Sequence, residues 1–277
     1  MLTHLLPRLL TRPLICILLL AFAAVNSAQA EPQLYAATGF AGSIGELYVL
    51  NSEDGSVISY IGPLNDADGN NYGLTGLRYD ASTGLLYGIT GSSKTSPNSL
   101  VTVDPDTALV TYVGGPFSSR LSDIAIEPGT FDIFAISGSS KYFYTVDKET
   151  GEDTRIGNTT LYPHRGGGFV ADSLGVLYGT NDDMLFIYDN ITGEAISVGQ
   201  TNLAFFVDAL AFSPAGLLYG IEGGGSTGST ADSDTDSIDQ TETSNRQRWL
   251  VTIDKTTGAA IELGETVGNL NALAFVP

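Results

Sequence analysis

The sequence predicts an all-β protein, a five-bladed β-propeller with four-stranded blades, and three observations lead to it. Short hydrophobic strings recur in a constant order about every 40–50 residues, which is the size of one propeller blade. No stretch beyond residue 30 has the periodicity of an amphipathic helix. The chain ends in LNALAFV (270–276), a string that belongs at the start of a repeat unit.

The most regular string is a strand, a turn related to Asp-x-x-Thr-Gly, and a second strand that ends in glycine. β-Branched and aromatic residues favour strands, and Asp, Thr and Gly favour the tight turn that joins them. We assign the two strands as C and D of a blade, counted A to D from the axis outwards. The copies are LYVLNSEDGSVISYIG (47–62), LVTVDPDTALVTYVG (100–114), FYTVDKETGEDTRIG (143–157), LFIYDNITGEAISVG (185–199) and LVTIDKTTGAAIELG (250–264).

Two further strings precede each copy and predict strands A and B. The B strings are QLYAATG (33–39), LLYGITG (85–91), DIFAISG (132–138), VLYGTND (176–182) and LLYGIEG (217–223). The A strings are LTGLRYD (74–80), LSDIAIE (121–127), GGGFVAD (166–172), VDALAFS (207–213) and the displaced LNALAFV. We expect LNALAFV to complete the first blade, because pairing with the N-terminal strands closes the ring and removes an open sheet edge.

These strings define one propeller domain over residues 31–277. Its expected blades are 33–62 with 270–276, 74–114, 121–157, 166–199 and 207–264. Residues 223–247, rich in Gly, Ser, Thr and Asp, interrupt the last blade and are predicted to form a disordered acidic insert.

Residues 1–30 are typical of a secretory signal peptide. Arg8 and Arg12 precede the apolar run 14–25, and Ala-Gln-Ala at 28–30 is a cleavage site. The run is shorter than the about twenty residues of a membrane-spanning helix. We therefore expect a secreted or periplasmic protein without a membrane span after signal removal. Cys16 is the one cysteine and leaves with the signal, so the mature chain has no disulfide.

The charge balance limits the partners. The chain has 12 Lys and Arg against 31 Asp and Glu, a formal net charge of −19. Nucleic-acid binding requires a basic surface that displaces counterions from phosphates, so that class is excluded. An extracellular glycan or protein is the expected partner, and the oligomeric state stays open.

The strand–Asp-x-x-Thr-Gly–strand–Gly pattern resembles the repeats of secreted bacterial propellers of the YVTN or quinoprotein-like type. The resemblance spans nearly all of residues 33–277 and implies the fold. It implies no single activity, because propellers host binders, scaffolds and hydrolases alike. Five blades also resemble the five-bladed lectins and the arabinanase-like glycosidases.

Binding is expected on the loops that vary between blades. In a propeller the D–A loops, which join consecutive blades, share one face with the B–C loops, and variable loops on a rigid scaffold often bind ligands. Aromatic and polar residues of these loops form the predicted ligand set: Tyr72, Phe117, Arg120, Tyr162, His164, Arg165, Phe205 and Phe206. The alternative is that the aromatic residues seal the gaps between blades.

Three groups of aligned residues have structural expectations. The aspartates of the C–D turns should accept turn N–H groups, and the tyrosines of strand B should pack between blades. The second residues of the A strings should ring the mouth of the central channel. These mouth residues are Thr75, Ser122, Gly167, Asp208 and Asn271.

Catalysis has no clear signature in the chain. Asp123, Asp208 and Glu222 are the candidate carboxylates of a glycan hydrolase at the channel mouth, and a metal-assisted lactonase is the other enzymatic hypothesis. Asp232, Asp234, Asp236 and Asp239 in the insert have a spacing that suits calcium but lack the glycine and distal glutamate of an EF-hand. We therefore predict no cofactor, with Ca²⁺ as the alternative.

The favoured function is an exported, non-catalytic binding module that presents the D–A and B–C loops to a glycan or a protein. The first alternative is the hydrolase or lactonase at the channel mouth. The second is a passive surface or matrix protein, kept soluble by its negative charge.

Overall fold

The computed structural model describes residues 31–39, 44–91, 95–161, 167–223 and 247–277. Within these ranges there is no helix, and hence none that could cross a membrane. The strands, in chain order, are β1 (Gln33–Thr38), β2 (Glu46–Leu50), β3 (Val57–Pro63), β4 (Leu74–Asp80), β5 (Leu85–Thr90), β6 (Leu100–Val103), β7 (Val110–Gly114), β8 (Leu121–Ile126), β9 (Ile133–Ser137), β10 (Tyr142–Val146), β11 (Asp153–Asn158), β12 (Phe169–Ala171), β13 (Leu177–Asn181), β14 (Met184–Tyr188), β15 (Ala195–Gln200), β16 (Val207–Phe212), β17 (Leu218–Gly223), β18 (Arg248–Ile253), β19 (Ala260–Thr266) and β20 (Leu270–Val276).

The strands form five antiparallel sheets of four, which confirms the predicted five-bladed propeller with four-stranded blades. Their orders are β20-β1-β2-β3, β4-β5-β6-β7, β8-β9-β10-β11, β12-β13-β14-β15 and β16-β17-β18-β19, and we number these sheets blades 1 to 5. The C-terminal β20 pairs with β1, with Val276 opposite Gln33 and Leu273 opposite Ala36. The predicted closure of the ring by the last strand is therefore confirmed.

The inner strands surround the axis, and the core lies between the blades. Each of β20, β4, β8, β12 and β16 contacts the inner strand on either side of it. Five hydrophobic clusters fill the five gaps between neighbouring sheets. Because both faces of every blade are covered, the A and B strings are apolar along most of their length. The B-strand tyrosines Tyr35, Tyr87, Tyr178 and Tyr219 are buried in these clusters, as predicted.

The aspartates of the C–D turns have the predicted structural role. Asp147 Oδ1 accepts hydrogen bonds from the N–H groups of Glu149 at 2.9 Å and Thr150 at 2.8 Å. Asp104, Asp189 and Asp254 accept turn N–H groups in the same way. Hydrogen bonds from these N–H groups lower the pKa of Asp147, which favours the ionised carboxylate at neutral pH.

The repeated glycines lie against the C–D turn of the next blade, and at four of the five joints the contact leaves no room for a side chain; at Gly62 a Cβ would be 3.8 Å from the nearest atom. A Cβ atom on Gly114, at the end of strand D in blade 2, would overlap the carbonyl oxygen of Thr150 in the C–D turn of blade 3. The same overlap would occur at Gly157 with Thr192 and at Gly199 with Thr257. The backbones of neighbouring blades therefore approach too closely for any side chain there. This contact explains why the turn and the final glycine recur together.

Candidate functional site

Hydrogen bonds join the D–A loops to the B–C loops, so the two sets share one face of the ring. In blade 2 the N–H of Phe117 donates to the carbonyl of Asn98 at 2.7 Å, and in blade 4 the N–H of Thr201 donates to that of Asp183 at 2.7 Å. In blade 5 the N–H of Gly223 donates to the carbonyl of Phe206 at 2.7 Å.

A β-bulge marks the start of four inner strands. The register with strand B shifts across one residue in each of them, and the residues skipped by the pairing are Thr75, Ser122, Asp208 and Asn271. These are four of the five expected mouth residues, and bulges commonly re-aim side chains near binding sites. The fifth, Gly167, lies against Ser122, since a Cβ on this glycine would be 3.2 Å from the serine Oγ.

An arginine occupies the axis beyond this mouth. Arg78 on β4 is 5% exposed. Its Nη1 donates to the carbonyls of Leu77 and, at 2.8 Å, of Leu273 on β20. Its Nη2 donates to Asp123 Oδ2 on β8 at 2.6 Å and to the carbonyl of Phe169 on β12. One guanidinium therefore connects the inner strands of four blades.

Asp123 is the buried counter-ion of Arg78, which corrects its expected place at the channel mouth. Its side chain has no exposed surface. Besides Arg78, the carboxylate accepts the N–H groups of Phe169 at 2.8 Å and Ile124 at 2.8 Å. Burial raises the pKa of Asp123 to about 7, and the charge of Arg78 and these two N–H groups oppose the rise. A carboxylate enclosed in this way cannot reach a ligand at the mouth.

Sequence reasoning missed Arg78, although the A strings contain a signal for it. At the position of Arg78 the other strings have Ala125, Val170, Ala211 and Ala274. At the position of Asp123 they have Gly76, Gly168, Ala209 and Ala272. When the five A strings are aligned, one position has a single cation and another has a single anion. The other four residues at each of these positions are small and uncharged. Two such compensating departures predict an ion pair.

The other two candidate carboxylates lie close together on blade 5. Glu222 is opposite Val207 in the pairing of β16 with β17, and Asp208 follows Val207 directly. Asp208 Oδ2 forms an ion pair with Nη1 of Arg248, which is itself buried. Glu222 is buried, and its Oε1 accepts the N–H of Phe205 at 2.9 Å. Burial raises the pKa of Glu222, the N–H of Phe205 opposes that rise, and the charge of Glu262 adds to it.

Three aromatic residues lie next to these charged groups, and we call them the blade-5 aromatic surface: Phe205, Phe206 and Trp249. Phe205 is 39% exposed and Phe206 is 36% exposed. The rings of Phe205 and Trp249 are nearly parallel, with an interplanar angle of 12° and centroids 6.4 Å apart. Phe205 and Phe206 end a D–A loop, and Trp249 follows Arg248 on β18.

The rest of the predicted ligand set is dispersed or outside the described residues. Tyr72 and Phe117 are buried in the clusters between blades, so for these two the sealing alternative describes their positions. Tyr72 also donates its hydroxyl to Asp66 at 3.0 Å. Arg120 is exposed, and its Nη2 donates to the carbonyl of Gly138 at 3.2 Å. The predicted ligand residues outside the described ranges are Tyr162, His164 and Arg165.

The predicted calcium ligands also fall outside the described ranges. These are Asp232, Asp234, Asp236 and Asp239, together with nearly all of the insert that contains them. In the part of the chain that the structure covers, no three His, Cys, Asp or Glu side chains are placed to share a metal ion.

Comparison with the first of three solved structures supports the fold. A chain in the crystal structure of a nidogen/laminin complex has a TM-score of 0.56 and 12% identity, covering 89% of this chain and 98% of that one. A protein of unknown function from Bacteroides thetaiotaomicron gives 0.49 and 12% over 84% and 64%. A catalytically inactive virginiamycin B lyase from Staphylococcus aureus with quinupristin gives 0.44 and 11% over 79% and 66%.

No family model matches the sequence, and neither does any curated protein. At the identities found, the likeness to solved structures shows the fold alone. The chain is an all-β, five-bladed β-propeller closed by its C-terminal strand.

Proposed function

We propose that this chain is an exported, non-catalytic binding module that holds a glycan on the face formed by its D–A and B–C loops. One observation carries the proposal: the exposed ring of Phe205 lies nearly parallel to the half-buried ring of Trp249, on the same blade end as the Asp208–Arg248 pair. A sugar ring has apolar C–H faces that pack on aromatic rings and hydroxyl groups that bond to carboxylates and guanidinium groups. The blade-5 aromatic surface offers both kinds of partner.

The backbone around the aromatic residues is held in place, which supports a preformed site. Glu222 accepts the N–H of Phe205, and the N–H of Gly223 donates to the carbonyl of Phe206. These two hydrogen bonds fix the end of the D–A loop to β17. Side chains that are ordered before binding lose less conformational entropy when the ligand arrives.

The hydrolase alternative has less support from the same residues. Hydrolysis of a glycoside needs two carboxyl groups flanking the scissile bond. Asp123 is enclosed with Arg78, and the buried Glu222 holds the loop. Of the three candidates only Asp208 is partly exposed, and it pairs with Arg248.

The proposed location, secreted or periplasmic, depends on the features of residues 1–30.

The first experiment is a glycan array probed with the labelled protein in the presence and absence of calcium. We expect saturable binding that falls at least tenfold in the double variant Phe205→Ala/Phe206→Ala, because both exposed rings are removed. Tyr112→Ala is the matched control, since Tyr112 is a 45% exposed aromatic residue on the outer strand of blade 2.

A blank array would contradict the glycan proposal and leave a protein as the expected ligand of this face. An equal loss of binding in Tyr112→Ala would contradict the location of the site. Thermal unfolding of all variants establishes that they remain folded. Dependence on calcium would point to the aspartates of the insert.

A further inference from the structure

Three basic side chains around blade 3 differ from the other cations of this acidic chain. Four basic residues in the described ranges each form an ion pair with an aspartate: Arg78, Lys148, Arg248 and Lys255. The remaining basic residues of these ranges are exposed and form no ion pair there, and they lie on blade 3 or on the D–A loop that leads into it: Arg120, Lys141 and Arg155. Unpaired cations gathered on one blade of an acidic chain favour an anion at that place.

Four serine hydroxyls meet beside these cations, and we call them the blade-3 hydroxyl cluster: Ser119, Ser137, Ser139 and Ser140. Ser119 Oγ on the D–A loop lies 2.8 Å from Ser137 Oγ and 3.2 Å from Ser139 Oγ. Ser137 Oγ accepts the N–H groups of Ser139 at 3.1 Å and Ser140 at 3.0 Å, which fixes the tip of the B–C loop against β9. Ser139 is exposed. A hydroxyl group rotates to suit its acceptor, so the open side of this cluster can donate to a ligand.

Arg120 and Lys141 flank the tip of the same B–C loop. Arg120 Nη2 donates to the carbonyl of Gly138 at 3.2 Å, and the N–H of Gly138 donates to the carbonyl of Arg120 at 2.9 Å. Phe143 is opposite Ile136 in the pairing of β9 with β10, so continuing this antiparallel register places Lys141 opposite Gly138. A guanidinium has five N–H donors. Those of Arg120 that do not contact Gly138 have no acceptor among the residues that the structure describes, so they are available to a ligand.

The charged groups next to this loop leave an excess of positive charge. The guanidinium carbon of Arg155 is 3.4 Å from the ring centroid of Tyr142, which directly follows Lys141. Asp153, on the same strand as Arg155, accepts the N–H of Ser118 at 2.8 Å and also accepts its hydroxyl. The contacts of the two loops thus include three cations and one carboxylate.

The position of Arg120 varies between blades although its backbone contact is constant. A glycine at the end of strand B donates its N–H to the carbonyl of Arg120 in blade 3, of Gly73 in blade 2 and of Phe206 in blade 5. The same contact therefore presents a cation, no side chain, or an aromatic ring. Variable side chains on a constant backbone are typical of ligand recognition.

The donors on these loops restrict the class of anion. A sulfate or phosphate ester group has three terminal oxygens in a tetrahedral arrangement, and charged and hydroxyl donors bind such oxygens strongly. Here the donors come from two loops, which suits a tetrahedral group better than the two oxygens of a planar carboxylate. The rest of the chain is acidic and repels a molecule with many negative charges, so the body that carries the ester group is expected to be otherwise uncharged.

We propose that the loops of blade 3 bind a single sulfate or phosphate ester group on an otherwise uncharged molecule. Arg120 and Lys141 pair with its oxygens, and the hydroxyls of Ser119 and Ser139 donate hydrogen bonds to them. The site shares no residue with the blade-5 aromatic surface, so it goes beyond the glycan proposal and holds or fails independently of it.

The test is a titration of the ¹⁵N-labelled full chain at constant ionic strength, followed by NMR at the backbone N–H groups of Arg120 and Ser139. The probes are glucose 6-sulfate, glucose 6-phosphate, glucuronate and glucose, which share a sugar ring and differ in the anionic group. We expect saturable shifts with at least one ester, and the tighter ester identifies the group. Glucuronate and glucose should bind at least fivefold more weakly. No saturable shift with either ester, or binding of glucuronate or glucose within fivefold of the tighter ester, overturns the proposal.

Variants of the two cations test the location. We expect at least tenfold weaker binding of the tighter ester in Arg120→Gln/Lys141→Gln and at least threefold weaker binding in Lys141→Gln alone. Lys148→Gln is the matched control for the single variant, because Lys148 lies in the C–D turn of the same blade and pairs with Asp80, and it should bind as the unmodified protein does. Unchanged binding in the double variant, or equal losses in Lys141→Gln and Lys148→Gln, overturns the proposal once thermal unfolding has shown that the variants are folded.

Discussion

The joints between blades repeat the same residues, whereas the axis of the ring breaks the repeat. At the joints, a glycine that ends strand D packs on a C–D turn in the next blade, as at Gly114 and at Gly157. Along the axis, Arg78 and Asp123 stand where the other blades have small uncharged residues. In this chain the repeated aspartates stabilise turns. The residues that depart from the repeat, Arg78 and Asp123, instead form an interaction that occurs once in the ring.

The largest expected effect comes from breaking the axial ion pair. Asp123→Ala leaves the guanidinium of Arg78 buried without a counter-ion and the N–H of Phe169 without its acceptor. We expect the free energy of unfolding to fall by about 3–5 kcal/mol, the usual loss when one partner of a buried pair is removed. Denaturant unfolding measures it.

The double variant Arg78→Met/Asp123→Ala sharpens this prediction. With both charges removed, blade 2 and blade 3 have uncharged residues at these two positions, as the other blades do. We therefore expect the double variant to recover at least half of the stability that is lost in Asp123→Ala. A loss below about 1 kcal/mol in Asp123→Ala would instead show that the pair contributes little to the stability of the ring.

The same pair should make stability depend on pH. The pKa of Asp123 is raised to about 7 in the folded protein, above the about 3.9 of an unfolded chain. The folded state therefore binds the proton more tightly, and the free energy of unfolding should fall as the pH rises from about 4 to about 7. Burial of Glu222 acts in the same direction.

Denaturant unfolding at pH 5 and pH 8 tests this dependence. Asp123→Asn should show a smaller decrease than the unmodified protein. Asp147→Asn is the control, because hydrogen bonds lower the pKa of Asp147 and its contribution is lost below about pH 4, outside this window. A decrease in Asp123→Asn equal to that of the unmodified protein would assign the pH dependence to other groups.

A smaller effect is expected at a joint between blades. Gly114→Ala introduces a Cβ that overlaps the carbonyl of Thr150, so the two blades must separate slightly. We expect a loss of about 1–3 kcal/mol, as for other overpacked sites. Gly91→Ala is the matched control, since its Cβ would be 3.5 Å from the nearest atoms, an ordinary contact. Equal losses in the two variants would mean that the joint is not a close contact.

Much of the fold was predictable because each strand string is local and recurs. The blades, the closure by LNALAFV and the role of the turn aspartates need only the pattern of the strings. The loops follow no such pattern. Tyr72 was expected on the ligand face, yet it packs between blades 1 and 2. The N–H of Leu64 donates to the carbonyl of Gly45, and the N–H of Tyr72 donates to the carbonyl of Leu64. These two hydrogen bonds fold the loop back on the sheet.

The candidate site was predictable only in part, for a related reason. Phe205 and Phe206 are exposed, but the stacking of Phe205 on Trp249 depends on a contact between a D–A loop and strand C of the next blade, which spacing does not reveal. Arg78 was missed because its partners lie on four different strands. Comparison of the aligned strings reveals such a residue, whereas inspection of each string by itself does not.

The pairing of β20 with β1 has a consequence for how the protein reaches its native state. Blade 1 receives its inner strand from β20, which follows all of the other strands along the chain, so this blade stays incomplete until β20 has been synthesised. Contacts between such distant segments are slow to form. Completion of the ring is therefore expected to be a late and slow step of folding, after the other four blades have their strands.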